Sequence, residues 1–324
     1  MRYSFIIPVK FVNDYVKESI PKILAIARDD YEIIVYPDET TSDVWPQTRQ
    51  IATGHVGPAA KRTKSIKDAK GDVLIFIDDD AYPRGDFLDI LDGDFKDEKV
   101  VAVGGPAVTP KSDGFWQKVS GAVFLSPLSG GAPERYVPWG QKRNVSDWPS
   151  VNFSVRKSVF SELGGFDSEF WPGEDTKLCL DLIKRYPAGI IYDPKLIAFH
   201  HRRAGLLNHL KQVGGYGLHR GFFAKKYPET SCKLKYFIPS LFLLFVVIGG
   251  LLSIFSKTVL ELYLIGWGTY LLTLIKSVFD IGRYEKNLLV VPNAVYYIFF
   301  THLFYGLMFI RGLLFTKDLK SKLR

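Results

Sequence analysis

Cysteine is scarce in this chain of 324 residues, which has only Cys179 and Cys232. Two cysteines can build neither a disulfide framework nor a zinc site with four cysteine ligands. The composition therefore fits a protein of a reducing compartment.

A secretory signal is also lacking at the amino terminus. The segment MRYSFIIPVK has one early arginine and then a short β-branched run that ends at Pro8. This run is shorter than the apolar region of a signal peptide, and no cleavage site of small residues follows it. We expect it to form the first strand of a sheet.

Excess charge is small over most of the sequence. The formal net charge is +8, and residues 236–324 supply +5 of it with nine basic and four acidic residues. The mean hydropathy of +0.04 excludes a disordered chain. Because the basic excess lies beside apolar segments and not in a stripe over a domain, no nucleic-acid partner is expected.

The first third of the chain alternates between strand and helix patterns. Apolar runs typical of buried parallel strands lie at residues 3–9, 31–36, 72–77 and 100–104. Helical patterns with one apolar face separate the first three runs. This alternation predicts an α/β domain with a doubly wound, mostly parallel sheet, in which ligands bind at the carboxyl ends of the strands.

The middle of the chain has a different composition. Residues 113–149 are rich in Gly, Pro and Trp and have little periodicity, which indicates a long, partly ordered insertion. Regular patterns then return, with strands predicted at 151–155, 190–192 and 197–199 and a helix at 175–185.

Long apolar runs are confined to the last third of the chain. Residues 237–255, 259–279 and 288–315 are each long enough to cross a hydrocarbon core. Buried helices of a soluble core are the alternative, but three such runs in succession favour a membrane region. The preceding segment, 205–227, is amphipathic and basic, which suits either a membrane surface or an ordinary docking helix.

The orientation in the membrane follows from the basic tail. Lys317, Lys320, Lys322 and Arg324 favour the cytoplasmic side. Three full spans would place this tail on the opposite side from the amino-terminal domain. We therefore expect the third apolar segment to be re-entrant or interfacial, unless the charge bias is overruled.

Three acidic residues follow the third predicted strand, in the motif FIDDDA. Asp78, Asp79 and Asp80 are electrostatically costly at the end of a buried strand unless a cation neutralises them. Oxygen ligands at one point suit Mg²⁺ or Mn²⁺, which bridge to substrate phosphates. A solvated acidic turn is the alternative, and the position after a buried strand favours the metal.

Two further motifs contain groups that suit catalysis. Glu174 and Asp175 in WPGED stand at a helix start, where an ionised carboxylate could act as a general base or simply cap the helix. His200-His201-Arg202-Arg203 follows a strand, so that an imidazole could complete a metal site and the arginines could bind a diphosphate. A basic surface facing anionic lipid is the alternative for this second motif.

The order of these motifs resembles the family-two glycosyltransferases of the GT-A fold. The matching segments extend over about the first 205 residues and comprise FIIPVK, the Asp38 turn, AAKRTKSIKDAKGD, FIDDDA, VNFSVRKSVFSELGGFD, WPGEDTKLCLDL and YDPKLIAFHHRR. The apolar segments that follow are similar to those of the membrane-attached members that build surface polysaccharides.

The resemblance implies a role for each matching residue. Asp38 would contact the nucleotide base and Asp78 the ribose, while Asp80 and His200 would bind the metal, with His201 as the rival ligand. Asp175 would deprotonate the acceptor hydroxyl, and Glu174 would help to orient the acceptor. The remaining residues of the donor site would be Pro8, Arg62, Asp79 and Arg202.

The resemblance also implies a domain order and a reaction. A GT-A domain (1–205) would precede an interface connector (206–235), a membrane region (236–316) and a basic tail (317–324). The enzyme would lie in the cell membrane with its catalytic domain facing the cytoplasm. It would transfer a sugar, with inversion, from a nucleotide sugar to a lipid-linked glycan.

Two departures from the family pattern concern the donor pocket. The common Asp-Asp-Gly-Ser turn is Pro37-Asp38-Glu39-Thr40 here, and the Arg-Asn-x-Gly stretch is Arg62-Thr63-Lys64-Ser65. UDP is the family default, and GDP or dTDP remain open. The Gln-x-x-Arg-Trp string of processive synthases is absent, so we expect one sugar to be added per encounter.

Two other functions remain open at this point. The acceptor could be a polyprenyl phosphate, which is already ionised and needs no base. The chain could also be a catalytically silent membrane scaffold, although its intact acidic and histidine motifs disfavour that role.

Overall fold

The computed structural model describes residues 1–130, 132–167 and 170–319 and divides the chain into two compact units. The first unit contains residues 1–110 and 137–201, and the second contains residues 111–136 and 202–319. The domain bounds expected from the sequence, which are 1–205, 206–235, 236–316 and 317–324, stay predictions. Of the basic tail, Lys320, Lys322 and Arg324 lie outside the described residues.

All described strands belong to the first unit. They are β1 (Tyr3–Pro8), β2 (Tyr31–Tyr36), β3 (Thr48–Gln50), β4 (Val73–Ile77), β5 (Ala81–Pro83), β6 (Ala102–Gly104), β7 (Ala107–Val108), β8 (Arg143–Asn144), β9 (Asn152–Arg156), β10 (Ile190–Tyr192) and β11 (Ala198–His200).

The helices are distributed over both units. They are α1 (Asp14–Leu24), α2 (Pro58–Thr63), α3 (Ser65–Asp68), α4 (Phe87–Asp94), α5 (Phe115–Ala122), α6 (Pro127–Gly130), α7 (Lys157–Glu162), α8 (Glu174–Arg185), α9 (Leu206–Lys226), α10 (Pro228–Ser231), α11 (Leu234–Leu244), α12 (Gly250–Ser253), α13 (Lys257–Gly282) and α14 (Val290–Ile310). Short 3₁₀ turns occur at Val123–Leu125 and Pro133–Arg135, and π-helical turns occur at Phe245–Gly249 and Arg311–Phe315.

Eight strands form the main sheet in the order β3-β2-β1-β4-β9-β6-β10-β8. The pairs β2–β3, β1–β2, β1–β4 and β6–β10 are parallel, whereas β9 runs antiparallel to both β4 and β6. The predicted α/β class is therefore confirmed. The continuous apolar runs form β1, β2 and β4 because these strands are buried along their whole length and covered on both faces.

A second, three-stranded sheet in the order β5-β11-β7 lies in the same unit. Strand β11 runs antiparallel to β5, and its register pairs His200 with Ala81. The amide of His201 also donates to the carbonyl of Asp80 at 2.9 Å. This pairing brings a segment that is 120 residues distant in sequence next to the acidic motif.

The second unit contains three helical segments that are long and apolar enough to cross a membrane. They extend over Leu234–Ser253, Lys257–Gly282 and Val290–Phe315 and agree closely with the three predicted runs. Helix α9 crosses α14 closely: a Cβ atom added to Gly221 would lie 2.1 Å from the carbonyl oxygen of Phe309.

The insertion predicted at residues 113–149 is divided between the two units, and its first part lies in residues 111–136, which contain two helices and pack within the second unit. Two buried polar contacts secure this segment there. The Oγ atom of Ser120 lies 2.8 Å from Nδ1 of His209, and the Ser126 hydroxyl donates to Oδ2 of Asp280 at 3.0 Å. The segment is therefore more ordered than its composition indicates.

Candidate active site

The three aspartates after β4 face different partners. Strand β4 ends at Ile77, and the next three residues lie at the carboxyl edge of the sheet. Asp78 accepts a hydrogen bond from Arg62, and Asp79 accepts one from the side chain of Asn13 at 2.6 Å. Asp80 is only 6% exposed. The three consecutive aspartates thus lie in three different environments.

Asp78, Asp80 and His200 form a group that could hold a metal ion. Their ligand atoms all lie within 4.8 Å of one another, and Nε2 of His200 is 3.1 Å from Oδ1 of Asp80. Asp80 and His200 are both buried, so that their polar atoms cannot rely on bulk water. Two carboxylates and one imidazole are ligands that a divalent cation accepts, and the residues present therefore fit a cation such as Mn²⁺ or Mg²⁺.

The second histidine of the pair points elsewhere. Nε2 of His201 lies 3.3 Å from Oε2 of Glu18, and its ring lies 4.9 Å from the ring of Tyr15. His200 is the last residue of β11 and His201 follows the strand, and the two imidazoles have different neighbours. The structure therefore places His200, and not His201, beside the aspartates.

Asp38 lies after β2 and is fixed by two basic side chains. Lys61 donates to one of its carboxylate oxygens, and His55 Nδ1 lies 3.1 Å from the other. Partial burial opposes ionisation, but the hydrogen bonds from Lys61 and His55 hold the pKa of Asp38 below its usual value. Lys61 also donates to the carbonyl of Val9, directly after Pro8 in β1. Sequence reasoning missed Lys61 and His55: the basic AAKRTK stretch contains Lys61, but no pattern indicated His55.

The neighbouring carboxyl groups Glu174 and Asp175 differ in their environment. Both start helix α8, after Gly173, whose φ of +127° favours glycine. Glu174 is 5% exposed, and burial together with the charge of Asp175 raises its pKa to about 8, although Arg62 opposes this shift. Asp175 is half-buried, and its Oδ1 accepts from the amide of Thr176 at 2.7 Å. Glu174 therefore keeps its proton to a higher pH than an ordinary glutamate does.

Arg62 on α2 lies between the acidic motif and helix α8. Its Nη2 donates to Oδ1 of Asp78 at 2.5 Å, and its Nη1 donates to Oε1 of Glu174 at 3.3 Å. The guanidinium is 4% exposed, and its Cζ lies 5.6 Å from the ring centre of Phe166. Among the residues that the structure describes, its Nε atom has no hydrogen-bond partner.

Arg202, expected at the donor site, belongs to the second unit. Its amide donates to Oδ2 of Asp113 at 3.2 Å, and its Cζ lies 4.9 Å from the ring centre of Tyr136. The other predicted residues, Pro8 included, belong to the first unit.

Comparison with known proteins connects these residues to a family. The family model described as glycosyl transferase family 2 matches residues 4–164. A pre-mycofactocin glycosyltransferase of Mycobacterium tuberculosis is 30% identical over 178 residues, which are 55% of this chain and 37% of that protein. The chain thus spans little more than a third of that relative.

A second relative is matched over more of its length. It is the dolichyl N-acetyl-alpha-D-glucosaminyl phosphate 3-beta-D-2,3-diacetamido-2,3-dideoxy-beta-D-glucuronosyltransferase of Methanococcus voltae. The two sequences are 24% identical over 233 residues, which cover 67% of this chain and 70% of that protein.

A solved structure is similar over nearly the whole chain. It is a mannosyltransferase from Pyrobaculum calidifontis in complex with GDP-Man and Mn²⁺. The TM-score is 0.57 at 16% identity, with 98% of this chain and 88% of that chain covered. At this identity the likeness shows the fold alone, and it confirms the GT-A fold that the resemblance implied.

Proposed function

The chain belongs to glycosyl transferase family 2, and from this premise we propose that it transfers one sugar from a nucleotide-diphosphate sugar to a hydroxyl group of a lipid-linked or surface glycan. The observation that carries the proposal is the cluster of Asp78, Asp80 and His200 at the carboxyl edge of the sheet. Ligands of doubly wound sheets bind at this edge.

The donor side of the proposed site is built on this cluster. Asp80 and His200 would hold Mg²⁺ or Mn²⁺, and the cation would neutralise negative charge on the diphosphate leaving group. Asp78 faces the ribose and Asp38, fixed by Lys61, faces the base, with UDP favoured. Pro8, Asp79 and Arg62, which belong to the same unit, complete the donor side.

The acceptor side is assigned to the start of α8. Asp175 accepts the proton of the acceptor hydroxyl, while the acceptor oxygen attacks C1 of the sugar and the bond to the diphosphate oxygen breaks, with inversion. Glu174 is not assigned this role, because it is only 5% exposed and its Oε1 already accepts a hydrogen bond from Arg62. Its buried carboxyl group instead orients its neighbours.

The second unit supports a membrane location for this reaction. Three segments of 20, 26 and 26 residues have the length and hydropathy of membrane spans. We place the catalytic unit on the cytoplasmic side, where nucleotide sugars are made, and assign the third segment as re-entrant or interfacial. The acceptor is accordingly a glycan on a lipid carrier in the same membrane.

Replacement of Asp175 tests the proposal. A donor screen by thermal shift of the full chain in detergent, with Mn²⁺ and a panel of nucleotide sugars, first identifies the donor. Asp175→Asn should then abolish transfer and leave donor binding intact, because only the base is lost. Asp181→Asn is the matched control, since Asp181 lies on the same helix and pairs with Lys177.

Two outcomes would contradict the proposal. Full transfer by Asp175→Asn would indicate an acceptor that is already ionised, such as a polyprenyl phosphate. A lack of binding and hydrolysis of every nucleotide sugar by the wild-type protein would indicate a silent scaffold.

A further inference from the structure

We propose that Arg62 is a positioning residue that couples the donor side of the site to its acceptor side, by joining Asp78 to Glu174 through one buried guanidinium. This inference rests on the proposed function. It adds a physical link between two carboxyl groups that the sequence places 96 residues apart.

The geometry of the link is specific to arginine. Nη1 and Nη2 of Arg62 donate to two different carboxyl groups, Glu174 and Asp78 respectively. A guanidinium is planar and holds its donors at fixed angles, so a displacement of one partner moves the other. A lysine ammonium is a point charge without this rigid geometry.

Burial makes the link strong. Arg62 and Glu174 are 4% and 5% exposed, so water cannot replace the hydrogen bond between them without a rearrangement of the pocket, whereas the Asp78 side chain is 32% exposed. The shorter contact is the one to Asp78, and the longer one, 3.3 Å, is to Glu174. The longer contact leaves room for Arg62 to move towards the acceptor side.

The consequence follows from the position of Asp78. A ligand atom of Asp78 lies within 4.8 Å of those of Asp80 and His200, so a cation held by these two residues would attract the Asp78 carboxylate and compete with Arg62 for it. Binding of the donor with its cation therefore weakens the Arg62–Asp78 contact and strengthens the Arg62–Glu174 contact. Glu174 is the first residue of α8, so the change reaches the neighbouring Asp175 directly.

The orphaned atom of Arg62 is consistent with such a second position. The buried Nε–H group of Arg62 has no hydrogen-bond partner among the described residues. A buried donor without a partner costs free energy, so this position of the guanidinium does not satisfy all its donors. A shift of Arg62 between its two carboxyl partners is the movement that a donor complex requires.

A double-mutant cycle tests the coupling. Wild type, Arg62→Lys, Glu174→Gln and the double variant, each as the full chain in detergent, are titrated with Mn²⁺ in the presence of UDP and, separately, GDP. Coupling between sites is reciprocal. Glu174→Gln should therefore change the dissociation constant of Mn²⁺ roughly three- to tenfold, although Glu174 belongs to the acceptor side. This change should be absent in the Arg62→Lys background.

A kinetic readout separates positioning from simple structural support. Arg62→Lys should lower kcat for release of the nucleoside diphosphate from the identified donor by more than it weakens nucleotide binding. Lys67→Gln, which removes an exposed positive charge from the adjacent helix α3, is the matched control and should change neither quantity. Melting temperatures of all variants verify that the fold is retained.

The results that overturn the inference differ from those that overturn the proposed function. Glu174→Gln could change the dissociation constant of Mn²⁺ equally in the wild-type and Arg62→Lys backgrounds, or not change it at all. Either result would show that Arg62 does not couple the two sides of the site. If Arg62→Lys does not fold, the absence of any effect of Glu174→Gln alone still refutes the coupling. Failure of the wild-type protein to bind any nucleotide would refute the proposed function itself.

Discussion

Neighbouring residues in this site have different contacts because the backbone directs each side chain towards a different part of the fold. His200 joins two aspartates, whereas His201 contacts Glu18 and Tyr15. The sequence alone left the two histidines as rivals, because both are equally able to bind a metal. Only the pairing of β11 with β5 decides which imidazole faces the acidic motif.

This difference predicts unequal effects of the same substitution. His200→Asn should weaken Mn²⁺ binding roughly tenfold or more and lower turnover in parallel, because one ligand of the group is lost. His201→Asn removes the neighbouring imidazole without touching the group, and its effect on Mn²⁺ affinity should be much smaller. Titration of Mn²⁺ followed by electron paramagnetic resonance measures both, and equal losses would contradict the assignment.

Contacts between distant residues could not be predicted in the same way. The acidic motif, the WPGED carboxyl groups and the Asp38 turn were recognised because each is a local pattern. The hydrogen bonds of Arg62 to Glu174 and of Lys61 to Asp38 join residues 112 and 23 positions apart. Sequence periodicity does not indicate such pairs, so the sequence predicts a donor-site role for Arg62 but neither its contact with Glu174 nor the contact of Lys61 with Asp38.

At the scale of elements, long apolar or alternating segments were the most predictable. Strands β1, β2 and β4 and the three apolar helices appear where their patterns placed them, since burial over a whole element leaves a strong signal. Residues 111–136 carry no such signal. Their order comes from polar contacts with other helices of the second unit, such as Ser120 with His209.

The close crossing of α9 and α14 gives a prediction about helix packing. Gly221→Ala should destabilise the protein by about 1–3 kcal/mol, because the added Cβ would overlap the carbonyl oxygen of Phe309 and force the helices apart. Gly215→Ala, on the same helix, has no atom within 4 Å of the new Cβ. It should be neutral or stabilising by up to about 1 kcal/mol, because alanine favours helix.

Thermal unfolding in detergent checks this pair of variants. The difference between them isolates the packing cost, since both substitutions change helix propensity equally. A melting temperature for Gly221→Ala equal to that of Gly215→Ala would show that the two helices do not depend on this approach.

At the scale of the molecule, the chain combines a mixed α/β unit with a helical unit that has the composition of a membrane domain. The near-zero mean hydropathy of the whole sequence is the average of these two parts. Sequence reasoning separated them by charge and apolar run length, but it could not assign residues 111–136 to the second unit, because pairing between segments leaves no compositional trace.

The membrane location is tested on the whole protein. The chain should stay with membranes after extraction with alkaline carbonate, and a protease-sensitive tag placed after Arg324 should be cleaved only from the cytoplasmic face. Release by carbonate would contradict the membrane anchor. Cleavage only from the outer face would indicate that the third segment crosses the bilayer completely.

The register between β5 and β11 also sets the order in which the protein can be assembled during synthesis. Two of the three candidate cation ligands, Asp78 and Asp80, emerge early, but His200 is made more than 100 residues later. Domains fold as units while the chain is still being extended. The candidate cation site is thus complete only after His200 has been made, shortly before Leu234, where the first membrane-length helix begins. All strands of the main sheet are therefore made before the three membrane-length helices on the same nascent chain.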